Sequence, residues 1–311
     1  MSEEVKHNKR IWEIDFVRGV LIIGMIVDHF MFFLGSLVPG FFANVNMPEW
    51  LIGTANFAWA YWVHPAKWAI RYVGLLLFFT LVGISSRFSK NNLKRGLLTL
   101  GFGVAMSIVL LIFSTISGIH YYALFPIIAC LGASMLLYYG AKQLLIKAIK
   151  IKEDNWKWWS LGIGAAIVLI GAIINLHFAQ EQIRFGNIFL IIMGYLTPGS
   201  WNSDTALEPA KYILVILGVE KWGNDWLGLL PYCGFTFIGG FIGEHFYKEK
   251  KSLFFRKNEE KNLAFNDKAN EVTKPVNWLG NKTIWVYILH PIVLIPIVFV
   301  FFWIATGQWP F

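Results

Sequence analysis

The chain has 311 residues, of which 56% are hydrophobic, 17% aromatic and only 15% charged, with a formal net charge of +8. A mean hydropathy of +0.54 excludes an ordinary soluble domain and indicates a single integral membrane domain over residues 1–311. The positive charge does not indicate nucleic acid, because no basic cluster is interleaved with a DNA- or RNA-binding motif and the basic residues lie between apolar segments.

Residues 1–13 are polar and carry Lys6, Lys9 and Arg10, which predicts a cytoplasmic tail and a cytoplasmic N-terminus. The first span is expected over residues 14–37. Unlike the other spans it holds several ionisable groups, Asp15, Arg18, Asp28 and His29. Its length, these charges and the lack of a small-residue cleavage site argue against a cleaved signal peptide. Charges at bilayer depth cost several kcal/mol or more unless paired or facing a watery cavity, so these four are functional candidates. At 100° per residue Arg18 and His29 fall about 20° apart around a helix, with Asp15 and Met25 on the same side. That polar face runs ~20 Å from Asp15 to His29.

Residues 38–67, rich in Pro, Asn and Trp, are expected to form an interfacial loop that contains His64. A second span follows over 70–88, where Gly83, Ser85 and Ser86 allow a close helix contact or a backbone approach to a ligand, then a basic turn over 87–95. The third span covers 96–115 and ends in a short outer turn at His120. The fourth covers 121–140 and leads into a basic, partly amphipathic interfacial helix over 141–159. A fifth span covers 158–176. The apolar stretches 186–196 and 212–219 are too short to cross a bilayer of ~30 Å and read as re-entrant or buried half-helices. The last two spans are expected at 227–246 and 284–303, separated by a charged cytoplasmic loop over 247–282.

The fold class is therefore all-α, a polytopic membrane helical bundle of about seven spans, or nine if the two short stretches cross. The inner segments hold three, four, five and nine Lys plus Arg. The outer ones together hold five, Lys67, Arg71, Arg184, Lys211 and Lys221, which fits N-inside and C-outside. There is no repeat of fixed period and no inverted pair of halves. Cys130 and Cys233 fall inside apolar segments, so neither a disulfide framework nor a metal site is expected.

An imidazole is the side chain best suited to take a proton from an amine or hydroxyl near neutral pH, which makes His29 a candidate base. Its alternative, with Asp28, is pairing to another helix. Arg18 can hold a phosphate or carboxylate bidentately, or pair with Asp15 three residues earlier. Arg87, Lys94 and Arg95 stand at an inner mouth, where they serve either as anion-attracting groups or as topology signals.

The run Arg10-x4-Asp15-x2-Arg18-Gly19-x5-Met25-x3-His29-Phe30 resembles the opening of the heparan-alpha-glucosaminide N-acetyltransferase family, in its short bacterial form. It is also similar to the first-span motif of the wider transmembrane acyltransferases. FFTLVGISSRFS at 78–89, DWLGLLPYCGFTFIGG at 225–240 and WLGNKTIWVYILHPIVL at 278–294 follow in the family's order. The resemblance implies transfer of an acetyl group from cytosolic acetyl-CoA to an amine or hydroxyl of an extracytoplasmic sugar or glycoconjugate, by an enzyme of the cell membrane.

Under this resemblance His29, His64 and Asp28 are the candidate catalytic residues. Arg18, Asp15, Arg87 and Arg95 would hold the acetyl-CoA, and His290 and Ser85 would position the substrate. His64 occupies a place comparable to the family's active histidine, so His29 and His64 are rivals, either as a general base or as a nucleophile forming an acetyl-imidazole. His120 is a weaker candidate. The chain departs from the family at Pro126, where a polar residue is expected, and at Leu227-Gly228, in place of an aromatic-proline pair. Those departures bear on the acceptor rather than the fold, and heparan sulfate itself is not the expected acceptor for a chain with only loops outside. The rivals are a proton-coupled transporter or flippase and a structural membrane subunit; a homo-oligomer is left open.

Overall fold

The computed structural model describes residues 11–117, 122–179, 182–200, 207–223, 225–248, 250, 252–253 and 267–310. Lys6, Lys9, Arg10 and His120 lie outside them. The described residues are mostly helical; the only strands among them are a parallel pair of two-residue segments, β1 (Gly199–Ser200) and β2 (Lys221–Trp222). Among the described residues six helical stretches are long and apolar enough to cross a membrane: Trp12–Phe41, Pro65–Ser86, Asn92–Ile116, Ile127–Ala148, Glu153–Ala179 and Thr283–Thr306. The chain is a multi-pass membrane bundle. Large apolar side chains such as Ile70, Ile116 and Ile304 stand outward on these helices, which suits lipid rather than water. The expected span at 227–246 is a shorter helix, Tyr232–Phe246, and the two half-helices are only five and six residues long, Ile188–Ile192 and Tyr212–Leu217.

The chain divides into two compact units, residues 1–71 with 250–311, and residues 72–249. The first begins with α1 (Trp12–Phe32), which runs through a π-type turn, Phe33–Leu37, into α2 (Val38–Phe41). The expected loop over 38–67 is instead largely helix: α3 (Glu49–Val63) starts after Pro48. The tryptophans and asparagine that read as loop sit on a helix whose Leu51, Ala55 and Ala58 form a buried stripe at i, i+4, i+7 spacing. This stripe packs with Phe33, Leu34, Val38 and Phe42, and with Val298 and Phe302 from the closing helix α12 (Thr283–Thr306).

The expected charged loop at 247–282 also ends in helix, over 267–272 and α11 (Lys274–Asn281). α11 has Pro275 in its first turn, where the missing N–H costs nothing. It crosses α1 at glycines: any side chain at Gly19 would run into the Val276 backbone, and any at Gly280 into the Asp15 carbonyl. A small residue on each helix is thus what permits the contact.

The second unit holds the remainder of α4 (Pro65–Ser86), α5 (Asn92–Ser117), α6 (Ile127–Gln143), α7 (Trp156–Ala179), α8 (Ile188–Ile192), α9 (Tyr212–Leu217) and α10 (Tyr232–Phe246). α4 and α10 meet backbone to backbone where Gly83 faces Thr236, Gly239 and Gly240. The expected interfacial helix over 141–159 is instead divided: residues 141–143 end α6 and 156–159 begin α7, with a π-type turn, Leu144–Ala148, and a short 3-10 turn, Glu153–Asn155, between them. The turn delivers Trp156 into the core, where its Nε1 donates to Tyr138 Oη at 3.0 Å and its ring lies against Phe237. In the connecting segment Lys221 is buried and donates to the Tyr195 carbonyl at 2.6 Å; desolvation lowers its pKa to about 8.

Candidate functional site

Three ion-pair groups carry the sequence candidates. On α1, Arg18 donates to Asp15 at 3.1 Å, the i,i+3 pair that its spacing allowed. Thirteen positions beyond Asp15, Asp28 meets two cations from the first turns of α4: Lys67 Nζ at 3.0 Å and Arg71 Nη1 at 3.4 Å. Lys67 also lies over the rings of Trp62 and Trp68, at 3.2 and 4.4 Å from their centroids. Aromatic faces and a carboxylate replace the water that a buried ammonium loses.

His29 follows Asp28 directly. Its Nδ1 lies 2.9 Å from the Met25 carbonyl, and a carbonyl only accepts, so Nδ1 carries the proton and the neutral ring presents the Nε2 lone pair. His290 from α12 packs against it edge-on, with ring centroids 4.7 Å apart. The same logic applies to His290, whose Nδ1 sits 2.7 Å from the Tyr287 carbonyl. Its Nε2 is therefore a buried acceptor, and among the described residues it has no hydrogen-bond partner. Two imidazoles from helices far apart in sequence thus pack together within one unit.

His64 stands differently. It ends α3 in extended backbone, is exposed, and its Nδ1 accepts from the Ala66 N–H at 3.2 Å, so it caps the first turn of α4. With Nδ1 an acceptor, the neutral ring carries its proton on Nε2, which makes the outward nitrogen a donor.

In the second unit Glu244 on α10 takes Arg87 Nε at 2.8 Å and Lys142 Nζ at 3.0 Å. Arg95 Nη1 donates to the Ser85 carbonyl at 3.3 Å, and the Ser85 hydroxyl donates back to Leu81 of its own helix. The candidates therefore segregate: Asp15, Arg18, Asp28, His29, His64 and His290 belong to the first unit, and Ser85, Arg87 and Arg95 to the second. Among the described residues no group of three or more His, Cys, Asp or Glu is arranged to hold a metal.

Sequence reasoning missed Lys67, Arg71, Trp62, Trp68, Lys142 and Glu244. The first two had been assigned to an outer loop. Their i,i+4 spacing, next to a span whose Asp28 needed a partner, was the available signal.

The family model described as heparan-alpha-glucosaminide N-acetyltransferase, catalytic, matches residues 10–292. No curated protein and no solved structure matches the chain.

Proposed function

This chain belongs to the heparan-alpha-glucosaminide N-acetyltransferase catalytic family, and from that premise we propose that it moves an acetyl group from cytosolic acetyl-CoA to an amine or hydroxyl of an extracytoplasmic sugar or glycoconjugate. In this reading it is a multi-pass protein of the cell membrane, with its N-terminus inside and its C-terminus outside. The observation that carries the reading is the His29–His290 pair, an imidazole lone pair held inside the bundle by a backbone carbonyl.

The acceptor nucleophile gives its proton to His29 Nε2 as it attacks the thioester carbon. The carbon–sulfur bond then breaks and CoA leaves as the thiol, taking back the proton that His29 accepted, so His29 is the general base. Asp28 next to it stabilises the imidazolium that forms. His290, whose Nε2 can accept a donor, positions the acceptor's N–H or O–H. On the cytosolic side Arg18, with Asp15 orienting it, attracts the polyanionic donor. Ser85 contributes its carbonyl to Arg95 rather than a hydroxyl proton to substrate.

The test has two parts, both on the full chain in nanodiscs. Acetyl-CoA should bind saturably and more tightly than CoA or ATP, and Arg18→Ala should weaken it; absence of binding to folded protein would overturn the acetyltransferase reading in favour of a proton-coupled carrier. In single turnover, His29→Gln should lower the chemical step by about 10²–10⁴ while donor binding persists. The same loss in His64→Gln, with His29→Gln unaffected, would transfer the base role to His64.

A further inference from the structure

The cations at the helix ends of the second unit are unequally served. Arg87 and Lys142 share Glu244. Lys90, Lys94 and Arg95, in the turn before α5 and in its first turn, have no carboxylate partner among the described residues. Lys90 and Lys94 stand exposed, whereas Arg95 is half-buried and donates through Nη1 to the Ser85 carbonyl at 3.3 Å. The rest of its five-donor fork is left to whatever lies outside the helix, and none of its nitrogens is sealed off without a partner. The first turn of α5 holds no acidic residue beside these two cations, the reverse of what the helix dipole favours there.

The surface that continues from these cations faces lipid. α5 is long and apolar enough to cross a membrane, so its first turn stands at a membrane surface, level with headgroup phosphates. At 100° per residue Leu98, Phe102 and Val109 fall within about 60° of Arg95 around the helix. They are 54%, 41% and 61% exposed, an outward apolar stripe that begins one turn from the guanidinium. From Arg95 to Val109 the stripe runs ~20 Å, more than the ~15 Å half-thickness of the hydrocarbon layer. A cationic fork above an apolar stripe of that length matches the phosphate and acyl chain of one phospholipid. A soluble anion would use the fork and leave the stripe uncovered, and charges that only orient the chain need neither.

We propose that Lys94 and Arg95, together with the stripe of Leu98, Phe102 and Val109, form a binding site for an anionic phospholipid. The guanidinium and the ammonium hold the phosphate, and an acyl chain lies along α5. Lys90, exposed in the preceding turn, adds to the attraction. The site belongs wholly to the second unit and does not depend on the transfer chemistry.

The experiment uses the full chain, with phosphatidylglycerol and phosphatidylcholine exchanged in from mixed nanodiscs and the retained lipid counted by native mass spectrometry. Glycerol 3-phosphate and acetyl-CoA, which carry phosphate without acyl chains, are titrated by calorimetry. The wild-type chain should prefer phosphatidylglycerol over phosphatidylcholine by about tenfold or more, with the preference shrinking in high salt. Arg95→Gln should remove most of that preference, and Arg95→Lys, which keeps the charge but not the fork, should retain part of it. Lys94→Gln changes an exposed side chain, should lower the preference severalfold, and serves if Arg95→Gln does not fold. Equal retention of the two lipids, or a preference that survives in all three variants, overturns the proposal. Arg95-dependent binding of glycerol 3-phosphate or acetyl-CoA without selectivity for phosphatidylglycerol also overturns it, and gives the cations to a soluble phosphate instead.

Discussion

Replacing Asp28 with Asn leaves the shape of the cluster but removes the carboxylate that Lys67 and Arg71 share. At an effective dielectric of ~20, the 3.0 Å contact to Lys67 corresponds to a gross attraction of roughly 5–6 kcal/mol, and the 3.4 Å contact to Arg71 adds a smaller share. Desolvation of all three groups offsets much of that in the intact protein. In the variant the desolvation remains while the attraction is gone, so the expected cost is about 3–5 kcal/mol. The assay is reversible unfolding in mixed micelles, followed by helical signal, for Asp28→Asn, Lys67→Met and the double variant. Lys67→Met removes the ammonium and keeps an apolar stem against Trp62 and Trp68, so the double variant should be less damaged than the sum of the singles by about 2 kcal/mol or more. An Asp28→Asn cost below about 1 kcal/mol, or a cycle additive to within about 0.5 kcal/mol, would refute the claim that this carboxylate holds the two cations.

Gly83→Ala should destabilise the second unit by about 1–3 kcal/mol in the same assay, because the added methyl meets the backbones of Thr236, Gly239 and Gly240, none of which can rotate away. Gly53→Ala, in α3 with open space around it, should be neutral or stabilising by up to about 1 kcal/mol; equal effects at both sites would remove the packing explanation. For Lys221, the folded pKa of about 8 lies below the ordinary lysine value of 10.5, so the unfolded chain binds more protons between them. Burying the ammonium is a cost fully present below pH 8 and relieved as the pH rises from about 8 to 10.5, by up to about 3 kcal/mol. Stability of the wild-type chain should rise across that window and that of Lys221→Met should not; parallel curves would show that Lys221 is not desolvated.

Much of the bundle was legible because hydrophobic length is a strong signal: six of the seven expected spans overlap long apolar helices, and 186–196 and 212–219 hold only short ones. The reading failed where composition stood in for periodicity. Residues 49–63 carry three tryptophans, which suggested an interface, yet Leu51, Ala55 and Ala58 repeat as a helix stripe. Residues 267–281 are polar enough to read as loop, and they form helix because α1 offers glycine backbone to pack against.

By itself the sequence determined that the chain is helical, crosses a membrane, and carries Asp15, Arg18, Asp28 and His29 on its first span. Backbone groups cannot be left unpaired in lipid, and charges there are conspicuous for their cost. Only the tertiary structure decided who meets those charges. Asp28 found Lys67 and Arg71, and His29 found His290, 261 positions away, through helix crossings set by small residues and interlocking aromatic side chains. Such encounters depend on the rotation and depth of one helix against another, and neither is written in the period of a single segment.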